Sequence, residues 1–219
     1  MDRSLELLFG KVKEAYERSD IRANFPQESW NYSITSTYLK KKVPLILGFN
    51  WGARHGVEYQ PQEIEDIPDF SFGEVDDLGS LNRSLKFFEC YYPEGLNGVQ
   101  CNFVPFRSRA ENQIGKNDMD LSKRFFLDLV GILSPSIIIS FSSRLRNYLE
   151  KSSKDKDGMA LEDRDYLERP KGMPVVLKGN LIIEGRNEPL PFRYIPHPNS
   201  RVKSEYREAA WKFAFDTPK

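Results

Sequence analysis

The spacing of apolar positions changes from segment to segment along this chain, and each spacing predicts an element. Over residues 2–18, Leu5, Leu8, Phe9, Val12 and Tyr16 recur at intervals of three and four, as on a helix that buries one face. After the basic Lys40-Lys41-Lys42, the run VPLILGFN is continuously apolar and predicts a buried strand that opens into a loop at GFNWGARHG. An acidic, proline-bearing loop follows from about Gln60 to Asp69, then FSFGEVDD and a predicted helix from about Leu78 to Cys90. GVQCNFVPF, near 98–106, reads as a second strand, and DMDLSKRFFLDLVGIL as an amphipathic helix with Asp118 or Asp120 near its cap. SPSIIISFSS predicts a third buried strand and Arg144 to Lys151 a short helix. Residues 152–172 are charge-rich and read as an exposed insertion. MPVVLKGNLIIEG has two β-rich runs around Lys178-Gly179-Asn180, a hairpin signal. LPFRYIPHP is a fourth core strand, and VKSEYREAAWKFAF closes the chain as a helix. No internal repeat is visible. Strands alternating with helices predict one α/β domain over 1–219, with a mainly parallel sheet covered on both faces.

Composition narrows the classes of function. The chain has 219 residues, and its 32 basic and 32 acidic side chains balance, so no global field recruits a polyanion. Any phosphate site must come from local clustering, for which Arg107, Arg109, Arg201, Lys203 and Arg207 are the candidates. No apolar run approaches the roughly 20 residues that span a bilayer, and the amphipathic N-terminus lacks the features of a signal peptide. The two cysteines, Cys90 and Cys101, make neither a disulfide framework nor a metal set. The expectation is a cytoplasmic protein with no membrane partner, no metal and no other cofactor. Cys101 reads as a small buried hydrophobe.

Candidate chemistry enters with YIPHPNSR, residues 194–201, which carries one of the two histidines between two prolines. Each proline fixes its own φ and biases the preceding residue toward extended backbone, so the imidazole of His197 rides on a stiff strand end. In open α/β sheets the ligand site lies off the carboxyl ends of the strands. GFNWG follows the first core strand, NFVPF ends the second and IPHPN ends the fourth, so Asn50, Asn102 and His197 are expected to converge. Read singly, each has a plainer explanation. Asn50 suits a turn, Asn102 a buried amide satisfied by backbone, Phe72 the core, His55 a surface loop, and the His197 segment a surface turn.

Taken together, the motifs resemble the uracil-DNA glycosylase superfamily, most closely its single-strand-selective monofunctional (SMUG-like) branch. GFNWG at 48–52 is similar to that branch's G-x-N-P-G motif, FGE at 72–74 to its F-G-E tripeptide, NFVP at 102–105 to its N-x-x-P segment, and HPNSR at 197–201 to its H-P-S-P-R motif. The resemblance implies a three-layer α/β/α sandwich with a central, mainly parallel four-stranded sheet and a small β-hairpin. It implies a monomeric base-excision enzyme that hydrolyses the N-glycosidic bond of uracil or 5-substituted uracil in DNA, without metal or lyase chemistry. In that reading His197 stabilises the departing pyrimidine oxyanion at O2 and Asn50 positions the attacking water. Asn102 reads the uracil edge, Phe72 stacks on the base, and Gly52 leaves space beside C5. Asn199, Ser200, Arg201 and Lys203 contact DNA, with Arg201 as the wedge that fills the vacated stack. The chain departs from the pattern where Trp51 replaces a proline, Asn199 a serine and Ser200 a second proline. Trp51 implies a different shape for the water-holding loop, and the acidic stretch between Asn50 and Phe72 is expected to lie near the site. Two rivals change the function: a non-catalytic member of the same fold that binds nucleic acid or a nucleotide-like ligand, and a hydrolase of free nucleosides or other small molecules.

Overall fold

Leu45–Gly52 (β1) carries side chains to both sides of a six-stranded sheet. In this computed structural model, which describes residues 3–28, 30–76 and 78–216, the other strands are Val99–Ser108 (β2), Ile138–Ser140 (β3), Met159–Tyr166 (β4), Leu177–Ile183 (β5) and Leu190–Tyr194 (β6). Their order is β2-β1-β3-β6-β5-β4. The first four are parallel neighbours, with Leu45 opposite both Val99 and Ile138, and Ile138 opposite Phe192. β5 joins β6 antiparallel, and β4 joins β5 antiparallel.

Helices cover both faces because the buried strands are apolar on both. Leu45, Leu47 and Phe49 enter the larger core, with α1 (Arg3–Glu17), α4 (Lys116–Leu133) and α5 (Ser143–Lys151) packed over it. Ile46 and Ile139 point the other way, toward α3 (Asn82–Tyr91) and α7 (Ser204–Phe215). On that side Trp211 is sandwiched by rings of α3: it stacks on Phe87 at 5.5 Å and meets Phe88 edge-on at 4.8 Å. Each such pair adds roughly 0.5–1.5 kcal/mol beyond simple burial. The α1 stripe is as expected, with Leu8, Phe9, Val12 and Tyr16 buried, although residue 2 lies outside the described residues.

Of the two predicted caps for α4, Asp118 is the one used, and it serves two helices. Its carboxylate accepts from Gly115 N at 2.8 Å at the start of α4, and from Asp20 N at 2.8 Å in α2 (Asp20–Asn24). A short α6 (Lys154–Asp157) precedes β4.

Three expectations change. The sheet has six strands rather than four, because the hairpin continues it instead of standing apart. The supposed insertion at 152–172 holds α6 and the edge strand β4. Only Met159 and Leu161 of β4 are buried, so an edge strand that is otherwise charged carries no apolar alternation. Lys178-Gly179-Asn180 lies in the middle of β5, whose burial alternates strictly, and the turn falls after Ile183. Gly179 marks a close approach, not a turn: a Cβ there would stand 2.9 Å from the Glu162 carbonyl, where β4 bulges.

Candidate functional site

At the carboxyl ends of β1, β3 and β6 lies a cavity of about 260 Å³. Asn50, Trp51, Gly52, Asn102 and His197 line it, with Gly48, Phe49, Gln100, Glu111, Phe141, Ser142 and the 78 and 81 leucines completing the wall. The three residues expected to converge therefore do so. The volume is near the lower end for ligand pockets, roughly 300–1,000 Å³, and suits a single small ring.

β1 does not stop at Asn50. It pairs on through Trp51 with Arg107 and Gly52 with Ser108, after a register shift between Asn50 and Trp51. That bulge turns the Asn50 side chain toward the buried Ser108, whose hydroxyl accepts from Asn50 Nδ2 at 2.8 Å. Asn50 Nδ2 also donates to the Trp51 carbonyl at 3.0 Å. With both amide hydrogens engaged, Asn50 Oδ1 is left as the acceptor for whatever enters. The shape of the loop also accounts for Trp51. The guanidinium of Arg107 lies 4.5 Å from the Tyr59 ring centroid and 5.7 Å from that of Trp51, and donates to Gly52 O at 3.3 Å. Burial holds the Arg107 pKa below the ordinary arginine value. Arg107 is thus a strut beneath the site and no phosphate clamp.

Asn102 sits inside β2 rather than at its end, opposite Gly48 of β1. Its carboxamide lies over the Gly48 Cα, so any side chain at 48 would run into it. Asn102 is 5% exposed, and among the described residues its carboxamide makes no hydrogen bond. The amide lines the cavity, where its carbonyl can accept and its NH2 can donate hydrogen bonds to an entering ligand or water. It is the feature that most directly asks for a polar ring. No sequence signal flagged Gly48 or Ser108 individually, although both lie beside motif residues.

His197 follows β6, whose pairing continues one residue further through Ile195 N to Ser140 O at 3.0 Å. The turn after it closes with Ser200 N donating to His197 O at 2.8 Å. His197 Nδ1 accepts from Asn199 N at 3.2 Å, which leaves the ring proton on Nε2 in the neutral form. Burial, and then the charge of Arg207, pull the His197 pKa below its ordinary value. Both effects favour the neutral imidazole at pH 7.

Other expected residues stand elsewhere. Phe72 does not line the cavity. It is fully buried, edge-on to Phe88 at 5.5 Å, in the core that Leu78 and Phe141 share, and so lies behind the wall. Its F-G-E tripeptide is a 3-10 turn in which Glu74 accepts from Ser71 N and Ser71 Oγ, both at 2.7 Å. Those bonds hold the Glu74 pKa low. Phe49 and Phe141 are the phenylalanines of the lining. Gly52 does line the cavity, and a Cβ there would meet nothing within 4 Å. Asn199, Arg201 and Lys203 are exposed and Ser200 half-buried on the loop beside the cavity, outside its lining. His55 is exposed and contacts Arg109 at 2.9 Å through Nδ1. Cys101 is buried, its thiol pushed up to about 12 by burial.

The acidic stretch is also placed away from the lining. Gln62 ties it to the outer edge of the sheet, accepting from Ile34 N at 2.7 Å and Thr35 N at 3.0 Å while donating to Thr35 O at 2.9 Å. Glu111, at the mouth, is the carboxylate of the lining, and its backbone carbonyl is held by the guanidinium of Arg144. Among the described residues no group of three His, Cys, Asp or Glu side chains is arranged to hold a metal, and no helix is long and apolar enough to cross a membrane. The chain matches no protein-family profile and no curated protein sequence.

Proposed function

We propose that this protein is a monofunctional glycosylase that hydrolyses the N-glycosidic bond of uracil, or of a 5-substituted uracil, in DNA. The observation that carries the reading is the carboxamide of Asn102, which lines a ring-sized cavity together with Asn50 and His197. A pyrimidine dione offers an N–H donor between two carbonyl acceptors, and a carboxamide pairs with one donor and one acceptor of that edge. The walls from Phe49, Phe141 and Leu81 are apolar, as a flat base requires.

In this reading the base is extruded into the cavity, at a cost of a few kcal/mol that is least in single strands. As the base–sugar bond lengthens, negative charge grows on the pyrimidine. The neutral His197 donates a hydrogen bond from Nε2 to the O2 that carries it, an electrostatic stabilisation of the oxyanion-hole type. Asn50 Oδ1 accepts from the attacking water and orients it toward the sugar C1′. The water oxygen forms the new bond to C1′ as the bond to the base breaks with its electron pair, and the proton the water sheds passes through solvent to neutralise the departing pyrimidine anion. Gly52 leaves room beside the ring for a 5-substituent.

The test is base release from uracil-containing single-stranded and duplex oligonucleotides, revealed by alkaline strand scission. Release by the wild type, with about a hundredfold slower chemistry in His197→Ala, supports the reading. Tight binding of uracil-containing strands with no release leaves a non-catalytic binder, and release from free nucleosides alone identifies a small-molecule hydrolase.

A further inference from the structure

A second concavity, of about 720 Å³, lies between α3 and the start of α7. Its wall includes Asn82, Arg83, Lys86, Pro198, Ser204 and Arg207. It abuts the first cavity: Leu81 and His197 line one, and their neighbours Asn82 and Pro198 line the other. Asn82, Lys86 and Glu89 stand at helical intervals of three and four on α3, so that helix presents one continuous face to the groove.

The groove gathers positive charge in a chain that has none to spare overall. Arg83, Lys86 and Arg207 contribute three cations against the single carboxylate of Glu89. Among the described residues none of the three cations forms an ion pair. Burial, and in smaller part the neighbouring charge of Arg83, hold the Arg207 pKa below the ordinary arginine value. Arg207 spends one donor on the Ser200 carbonyl at 2.8 Å, which braces the loop after His197, and a guanidinium has further N–H groups to offer. α7 begins at Ser204, on the same wall, and adds the positive end of a 12-residue helix. Leu85, Phe87 and Val202 supply apolar surface between the charges.

We infer that this groove holds the phosphodiester backbone of the nucleic-acid strand whose nucleotide enters the His197 cavity. The inference rests on the proposed function for the identity of the strand, and on the groove alone for its chemistry. The common wall matters, since a nucleotide in the cavity leaves its neighbouring phosphate just beyond Pro198 and Asn82. A groove nearly three times the volume of the cavity exceeds what one phosphate needs, and suits a sugar–phosphate segment resting on Phe87 and Val202.

The experiment measures anisotropy of a labelled, uracil-free single-stranded oligonucleotide across a salt series, for wild type and for the Arg83→Gln/Lys86→Gln double variant. Both substituted residues are exposed, and a thermal melt confirms that the variant is folded. Loss of two phosphate contacts should flatten the log–log salt slope by about 1.4 and weaken low-salt binding roughly tenfold. An unchanged slope and affinity would overturn the inference. So would inorganic phosphate binding that depends on Arg83 and Lys86 without any effect on the oligonucleotide, which would identify a free-anion site. Base release, assayed in parallel, separates the two claims. A flattened slope without release keeps the groove and removes the glycosylase, and release with an unchanged slope does the reverse.

Discussion

Asn50 and Ser108 are joined by a 2.8 Å hydrogen bond that fixes which end of the Asn50 carboxamide faces the cavity. The Ser108 hydroxyl donates onward to the Ala110 carbonyl at 2.9 Å, so its own proton is committed and it can only accept from Asn50. Ser108→Ala breaks this relay without touching the cavity wall. The expected result is about a tenfold fall in kcat, corresponding to about 1.4 kcal/mol, with KM nearly unchanged. Single-turnover base release on saturating substrate measures it, and an equal rate in wild type and variant would show that the amide orients itself without Ser108.

The protonation state of His197 predicts a pH profile. Its pKa lies below the ordinary 6.5, so the neutral donor persists at pH 6.5 and base release should decline only below that value. His197→Ala should remove this acid limb along with most of the rate. Stability follows the same sign. The folded protein binds this proton less readily than the unfolded chain, so the contribution is full above the unfolded pKa and is lost as pH falls through the depressed folded one. Urea melts of wild type and His197→Ala at pH 7.5 and 5 read that difference.

Gly48→Ala tests the packing of the Asn102 carboxamide and, with it, the proposed reading of the base edge. The added methyl would collide with the Asn102 carboxamide, displacing it or parting β1 from β2. We expect about 1–3 kcal/mol of lost stability, typical of overpacking, together with weaker discrimination of uracil from cytosine. Asn102→Ala in the Gly48→Ala background should recover stability, because it removes the atom that clashes, and should not recover discrimination. Chemical denaturation and competing-substrate assays report the two effects separately.

Phe72 and Phe141 should behave differently despite the same side chain. Phe72→Leu disturbs a fully buried ring behind the wall and should lower stability by roughly 1–2 kcal/mol, while inhibition by free uracil stays within about twofold. Phe141→Leu removes an aromatic surface of the lining and should weaken that inhibition severalfold. Reversal of the two results would restore Phe72 as the stacking partner.

The parallel half of the sheet was legible in the sequence because its buried strands carry unbroken apolar runs, PLIL within VPLILGFN and III within SPSIIISFSS, that end at punctuating residues. β4 was not legible. Its sequence, MALEDRDY, places two buried side chains at one end, four charges after them and an exposed tyrosine last, as suits an edge that needs only one anchored end. Gly179 misled for a related reason: glycine signals both turns and tight strand contacts, and only the partner strand distinguishes them. At the site, Asn50, Asn102 and His197 were found through their placement at strand ends, which topology converts into proximity. Of the two readings of Phe72, its place in the core is the one the fold shows, because a motif fixes order along the chain and not which side of a wall a ring occupies. Ser108 and Gly48 act through a bulge and a strand register, and neither is encoded in the spacing of residue types.

The two margins of the sheet differ in how they end. Beyond β2, Tyr32 and Thr35 form bridges to Phe106 and Cys101, and Gln62 fastens that segment down, so this margin is closed by the chain itself. At the other margin β4 ends the sheet, and Glu162, Asp163, Arg164 and Asp165 there are exposed. Unpaired strand edges invite other strands, and charge is what discourages them. The run of acids and one arginine that disguises β4 in the sequence is therefore charge of the kind that discourages sheet-to-sheet pairing, a colloidal property written in the least strand-like segment of the fold.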